Sequence, residues 1–344
     1  MVRRKRAGRK NRRSGAILLV ALLALVLAAG GTAWLVFTPF GPAQERFVDV
    51  APRSSSARIA KQLEEAGIVR SRYAFDLMRW WQRGTLKAGE YRFDHPAPVS
   101  EVYARIARGD VYTIAVTIPE GASVFDIALR LEQAGFGPRQ EFLLDQARET
   151  NLVADLDPTA QSLEGYLFPD TYRFPRKATP TVILTAMVHR FRTEAVQLGL
   201  RGDVHRVVTL ASLVERETAV DPERPLVASV FDNRLARRMP LATDPSVIYG
   251  LQLAGRWRGE IFASDLKYDT PYNTYLHAGL PPGPVANPGA KSLRAVMQPA
   301  KTNYLYFVAA GSDAQGKSLF SSTLEEHQRN VAGYRHAVKR AGGQ

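Results

Sequence analysis

A chain of 344 residues, 45% hydrophobic and 23% charged, has the composition of a folded protein and room for two domains with appendages. The absence of cysteine excludes disulfides, thiol nucleophiles and cysteine-ligated zinc; six scattered histidines without a His-Glu-x-x-His pattern give no basis for a metal site. The net charge of +13 invites a nucleic-acid reading, but eight basic residues crowd positions 3–13 and the excess falls to +5 once they are set aside, so no nucleic-acid partner is expected.

Residues 1–15 read as a basic cytoplasmic tail. Ala16 to Phe37 follows as 22 uncharged residues, which as a helix would reach about 33 Å, enough for a hydrocarbon core of roughly 30 Å. The run is longer than the h-region of a cleaved signal peptide, so residues 16–38 are expected to be a retained transmembrane anchor. Basic residues stay on the cytoplasmic side, which makes this a single-pass protein of the cytoplasmic (inner) membrane with everything after Phe37 outside.

Residues 39–46 read as a linker, and residues 47–112 as a small α+β module. A strand is expected at Phe47–Val50, then a helix from Ala57 to Ala66, capped within Ser54–Ser56 and stopped at Gly67. A second helix covers Arg72 to Trp81, a strand Lys87–Phe93, and Ser100 with Glu101 opens a helix ending near Gly109. Trp80, Trp81 and Tyr91 are either sugar-stacking faces or core residues. Val111 to Ile118 alternates like a strand and leads into a larger domain, residues 113–342. An internal echo links Ile59–Gly67 to Ile127–Gly135, each preceded by a strand, a proline and small residues; two copies are too few for a solenoid.

Glu164–Tyr172 reads as an aromatic loop, and Pro180–Leu198 as a helix ended by Gly199. The segment from Val207 to Gly289 is the focus of the chain. An apolar helix, Val207–Thr218, ends with two acids and is followed by polar stretches at Asn233–Leu235, Ala242–Gly250, Tyr268–Tyr275, Gly279–Pro284 and Asn287–Gly289, expected as loops facing it. Tyr304–Ala310 and Ser318–Ser322 read as strands and Leu324–Arg340 as a closing helix. Gly311–Ser318 matches the phosphate-loop pattern letter for letter, but an extended run follows Lys317-Ser318 where phosphate binding needs a helix N-terminus, so it reads as a hairpin loop. Ser264–Lys267 matches S-x-x-K without the companion motifs of a serine acylating enzyme.

A carboxylic acid packed against apolar groups holds its proton near neutral pH and can serve as a general acid. Glu215 and Glu217 lie about 200° apart on a helix, so only one faces a given site. Relative to the face made by Val207, Leu210, Ala211 and Val214, they fall about 90° and 70° to opposite sides, which does not choose between them. Most glycosidases pair two carboxylates, and Asp244 is a candidate for the second. Tyrosine and asparagine side chains suit sugar hydroxyls.

The motifs Leu210-Ala-Ser-Leu-Val-Glu-Arg-Glu-Thr218, Val227-Ala-Ser-Val-Phe-Asp-Asn-Arg-Leu235, Thr243-Asp-Pro-Ser-Val-Ile-Tyr-Gly250, Pro271-Tyr-Asn-Thr-Tyr275, Gly279-Leu-Pro-Pro-Gly283 and Ala300–Val308 occur in this order. Together they resemble the endolytic murein transglycosylases of the MltG or YceG-like family, and the likeness spans nearly the whole chain; the longer basic tail and the variable stretch Gly137–Asp157 depart from it. The resemblance implies an α+β fold: an N-terminal transmembrane helix, a small LysM-like α+β module, then a larger mixed α+β catalytic domain. It implies Glu217 as the catalytic acid; the polar residues of the surrounding motifs, Thr218, Asn233, Asp244, Tyr249, Tyr272, Asn273 and Tyr275, are the substrate-binding candidates, and no cofactor is expected. It further implies one acid used twice: Glu217 protonates the oxygen between N-acetylmuramic acid and N-acetylglucosamine, then takes the proton of the muramyl C6 hydroxyl as that oxygen attacks C1. Peptidoglycan glycan strands are the implied substrate and penicillin-binding synthases the implied partners. The competing expectation is a non-catalytic peptidoglycan-binding scaffold that recruits such synthases.

Overall fold

The apolar run near the N-terminus forms a single helix, α1 (Ala7–Phe37). Within it Gly15–Phe37 has a mean hydropathy of 2.5 and is, among the described residues, the one segment long and apolar enough to cross a membrane. The structure, a computed structural model, describes residues 7–310 and 317–341. The first residues of the basic tail and the middle of the phosphate-loop look-alike, 311–316, lie outside the described residues. The chain divides into two compact units, Met1–Thr113 and Ile114–Gln344, and its architecture is mixed α+β.

In the first unit α1 is followed by β1 (Arg46–Val50), α2 (Ser56–Glu65), α3 (Arg72–Gln82), β2 (Gly89–Phe93) and α4 (Val99–Arg108). β1 and β2 pair antiparallel, with Val48 opposite Tyr91. Their inward residues pack on Ile59, Leu63, Phe75, Met78, Val102 and Ile106. Tyr91 is fully buried and its hydroxyl donates to the Lys87 carbonyl at 2.8 Å, so it is a core residue and not a sugar platform. Trp80 and Trp81 remain exposed. Two expectations change in detail. Ser100 does not cap α4, which begins at Val99 behind Pro98. The stretch read as a linker is bound to the unit, since Phe40 and Ala97 exchange both backbone hydrogen bonds, at 3.1 and 3.0 Å.

The second unit runs through β3 (Thr113–Thr117), α5 (Val124–Gln133), α6 (Arg139–Arg148), β4 (Thr171–Pro175), α7 (Pro180–Leu198), α8 (Val204–Glu217), α9 (Arg224–Ala236), α10 (Asp244–Leu253), α11 (Ala290–Met297), β5 (Tyr306–Ala309), β6 (Ser318–Ser321) and α12 (Leu324–Ala341). The internal echo folds alike in both copies. α2 and α5 each start on a serine whose hydroxyl accepts from the third amide of the helix, Ser55 from Arg58 and Ser123 from Asp126. Each ends at an alanine followed by a left-handed glycine, Gly67 at φ +67° and Gly135 at φ +87°, a conformation that a Cβ disfavours. α6 occupies part of the stretch read as a variable loop. β5 and β6 pair antiparallel, with Phe307 opposite Phe320, so Ser318 opens a strand, as a hairpin requires.

α8 is the central element. Val208 through Val214 are all fully buried, because α9, α10 and α11 pack around the helix. A stretch of helix buried on every side belongs to the core, where polar groups are usually satisfied internally, although the Thr209 hydroxyl has no partner among the described residues. Ser212 follows the rule: its hydroxyl donates to the Thr209 carbonyl at 2.7 Å and accepts from the Val285 amide at 3.0 Å. The stretches expected as facing loops are in part helical. Asn233 lies within α9, and Asp244 and Tyr249 lie on α10. Burial stabilises these polar-looking motifs as helices: Val227, Ala228, Phe231 and Tyr249 join the core cluster that contains α8, and Val247 and Leu251 are buried as well.

Candidate active site

The enclosure of α8 separates the two acids that helical periodicity could not. Glu215 turns into the protein. One oxygen accepts from the Arg224 guanidinium at 2.8 Å and the other from the Gly289 amide at 2.9 Å; both side chains of this ion pair are 5% exposed. Arg224 is also held by the Ser292 hydroxyl at 2.7 Å and by Asp221 at 3.3 Å. Glu215 is therefore fully engaged and has no oxygen to spare for a substrate.

Glu217, the last residue of α8, faces a depression of about 270 Å³ walled by Phe231, Arg234, Leu241–Asp244, Tyr275, Phe307 and His327. Among the described residues its carboxyl group takes no hydrogen bond and no ion pair. Burial, followed by repulsion from the Asp244 carboxylate, pushes its pKa up to about 7, against the pull of Arg234 and Arg216. An unpartnered acid lining a cavity, with a pKa raised to near neutrality, keeps a substantial protonated fraction there, which is the condition for general-acid chemistry.

Of the residues expected to bind substrate, the structure brings Asp244 and Tyr275 to this cavity. The Tyr275 hydroxyl donates to Asp244 at 2.7 Å, and burial together with that carboxylate raises its pKa. The other five sit elsewhere. Thr218 is buried and its hydroxyl oxygen accepts from the Val220 amide at 3.0 Å, which turns the chain away from the end of α8. Asn233 donates to the carbonyls of Thr302 and Tyr304, at 2.9 and 3.0 Å, and so ties α9 to the strand approach. Asn273 is fully buried; it donates to the carbonyls of Leu266 and Tyr268 and accepts from the Tyr275 amide, which holds the loop that presents Tyr275. Tyr249 and Tyr272 stack obliquely at 5.0 Å and face Glu164.

Glu164 heads a second buried polar knot. It accepts from the Val124 amide at 2.8 Å and from the Asn287 side chain at 2.7 Å, and burial pushes its pKa up to about 8. Asn287 also accepts from the Leu167 amide at 2.8 Å and donates to the Ala122 carbonyl at 2.9 Å. The Glu164 and Asn287 motifs thus join three distant chain segments. Gly165 is part of that joint: at φ +88° a Cβ would meet Pro284 at 2.5 Å and Val208 at 2.7 Å.

Sequence reasoning missed three features of the cavity. Arg234 bridges the carbonyls of Leu305 and Leu241, each at 2.7 Å, and sets a positive charge beside Glu217. It stands next to Asn233 in a motif already singled out, but nothing in the spacing favours the arginine. His327, on α12, stacks on Tyr306 at 5.1 Å with its Nδ1 buried and unpartnered among the described residues; only tertiary contact brings it here from more than a hundred residues away. Ala242 adopts a left-handed φ of +49° in the cavity wall, where its backbone N–H donates a hydrogen bond to the Thr274 carbonyl at 3.0 Å. That conformation costs about 1–2 kcal/mol for a residue with a Cβ.

Comparison with known proteins agrees with this architecture. The YceG-like family model matches residues 48–333. An endolytic murein transglycosylase of Bacillus subtilis is 32% identical over 303 residues, which cover 82% of this chain and 82% of the relative. One from Streptococcus pneumoniae is 29% identical; the match covers 92% of this chain and 64% of that longer protein. A crystal structure of a yceG-like protein from Listeria monocytogenes superposes with a TM-score of 0.52 at 31% identity, covering 84% of this chain and 99% of that one. With a family match across most of its length and a relative of this identity, the chain belongs to the YceG-like family.

Proposed function

We propose that the chain is a membrane-anchored endolytic lytic transglycosylase, cleaving the bond between N-acetylmuramic acid and N-acetylglucosamine within peptidoglycan glycan strands and leaving 1,6-anhydro-muramyl ends. The observation that carries this is Glu217, an acid with no hydrogen-bond or ion-pair partner among the described residues, its pKa pushed up to about 7 at the wall of an open cavity. In the forward step Glu217 gives its proton to the glycosidic oxygen while the bond from C1 to that oxygen breaks. The C6 hydroxyl oxygen then bonds to C1, and its proton passes to the Glu217 carboxylate. The acid is restored and no water is consumed. An acid with a pKa of about 7 suits both halves, because it gives and takes a proton with little bias at that pH. The Asp244 carboxylate, oriented by Tyr275, is the negative group that favours positive charge developing at C1.

In this reading α1 anchors the protein with its N-terminus in the cytoplasm, the first unit is the LysM-like module that holds the glycan strand, and penicillin-binding synthases are partners at the site of strand growth. The test is digestion of purified, uncrosslinked glycan followed by mass spectrometry. Anhydro ends, lighter by one water than hydrolysis products, are expected. Reducing muramyl ends alone would move the enzyme to the hydrolases, and binding to sacculi without any released fragment would make it a scaffold.

A further inference from the structure

Helix α3 has two apolar faces, and only one is covered. Ala74, Phe75 and Met78 point into the core of the first unit. Tyr73, Leu77, Trp80 and Trp81, spaced i, i+4, i+7 and i+8, fall within about 100° of one another on the helix, and the three aromatic rings are 68%, 70% and 67% exposed. A cluster of large aromatic side chains left in water on one short helix marks an interaction surface.

The position of α3 within the unit points to an occupant. α3 packs on the outer end of α1, and that end is built into the unit: Val36 is 3% exposed in the core, with Leu35 packed beside it. Arg70 reinforces the joint, its guanidinium lying 4.1 Å from the Trp34 ring and 5.1 Å from the Phe40 ring. About 20 residues of helix fill a hydrocarbon core, so a helix entering at Ile17 leaves it close to Val36. No free tether separates the bilayer edge from the folded unit. A helix in contact with that exit point lies within one helix diameter, about 10–12 Å, of the hydrocarbon.

We infer that α3 rests in the outer interface of the lipid bilayer, with Tyr73, Leu77, Trp80 and Trp81 inserted among headgroups and upper acyl chains, so that the first unit is docked on the membrane as well as tethered to it. Tryptophan and tyrosine favour this zone because their rings are apolar at one end and polar at the other. Arg72 and Arg79 on the helix and Arg83 at its C-cap outnumber the helix's single acid, Asp76, a balance that suits anionic lipid headgroups. A sugar-stacking role fits less well, since the rings stand side by side on the convex surface of a helix. The inference rests on the membrane-anchor reading of α1.

The test uses the full chain, with Trp257→Phe, in vesicles of phosphatidylcholine and phosphatidylglycerol whose phosphatidylcholine acyl chains are either plain or brominated. One protein keeps only Trp34 and another keeps only Trp80 and Trp81. Both are expected to lose most of their emission in brominated vesicles relative to plain ones. Quenching of Trp34 with Trp80 and Trp81 unaffected leaves the anchor intact and overturns the docked helix. Failure to quench Trp34 overturns the anchor reading and the docking with it. Shielding of Trp80 and Trp81 from aqueous acrylamide that needs added glycan, or that grows with protein density, without bromine quenching, assigns the face to sugar or to a second copy and likewise overturns the proposal.

Discussion

Replacing Glu217 by Gln keeps the shape of the side chain and removes its proton chemistry. Loss of a general acid typically lowers rate by about 10²–10⁴-fold, and the variant should release anhydro fragments at least that much more slowly. The same change should stabilise the fold, and its sign follows from linkage. Glu217 titrates near 7 when folded and near its ordinary 4.5 when unfolded. Between those values the folded state holds the extra proton, so stability falls as pH rises through the window and the loss is complete above pH 7. A tenfold change in proton affinity is worth about 1.4 kcal/mol, which sets an upper bound of about 3 kcal/mol, and solvent at the cavity mouth reduces it to about 1–3 kcal/mol. Glutamine carries no charge and escapes this penalty. Thermal melts should therefore place Glu217→Gln above the unmodified chain by a few degrees at pH 8, with the gap closing as pH falls towards 4.5. Activity of the unmodified enzyme should decline above pH 7 as the proton is lost. Retained activity in the variant, or a melting difference that ignores pH, would refute the assignment.

Glu215→Ala strands the buried Arg224 and should cost about 3–5 kcal/mol in urea unfolding, while molecules that remain folded keep their turnover, the reverse of the Glu217 pattern. Asp244→Asn removes the charge that repels the Glu217 carboxylate, so the Glu217 pKa should fall and the alkaline limb of the pH–rate profile should move to lower pH; an unmoved limb would separate Asp244 from the acid. Asn273→Ala leaves two carbonyls and one amide without partners and should lower stability by about 2–4 kcal/mol, read as a drop in the urea midpoint, with a parallel loss of activity from the misplaced Tyr275.

Local chemistry was enough to read most of the elements. The serine caps and glycine stops of α2 and α5, the charge-free run of α1 and the strands flanking residues 311–316 each depend on neighbours in sequence, and each lies close to where those neighbours put it. The motif series was likewise sufficient to indicate the family. The roles of individual polar residues were not legible. Asn233, Asn273 and Thr218 look like sugar-binding groups in a sequence, yet each uses its side chain to satisfy backbone groups, because a buried loop must find hydrogen bonds inside the protein. The choice between Glu215 and Glu217 was also beyond periodicity. A helical wheel resolves inside from outside only for a helix with one exposed face, and α8 is enclosed by α9, α10 and α11. What separates the two acids is the company that folding brings from far along the chain: Arg224 and Gly289 occupy both oxygens of Glu215, while Arg234, Asp244 and His327 surround Glu217 and leave it free. Local sequence determines where a helix starts and stops, but only the tertiary structure decides which of its carboxylates is paired with a buried cation and which is left without a partner at the wall of a cavity.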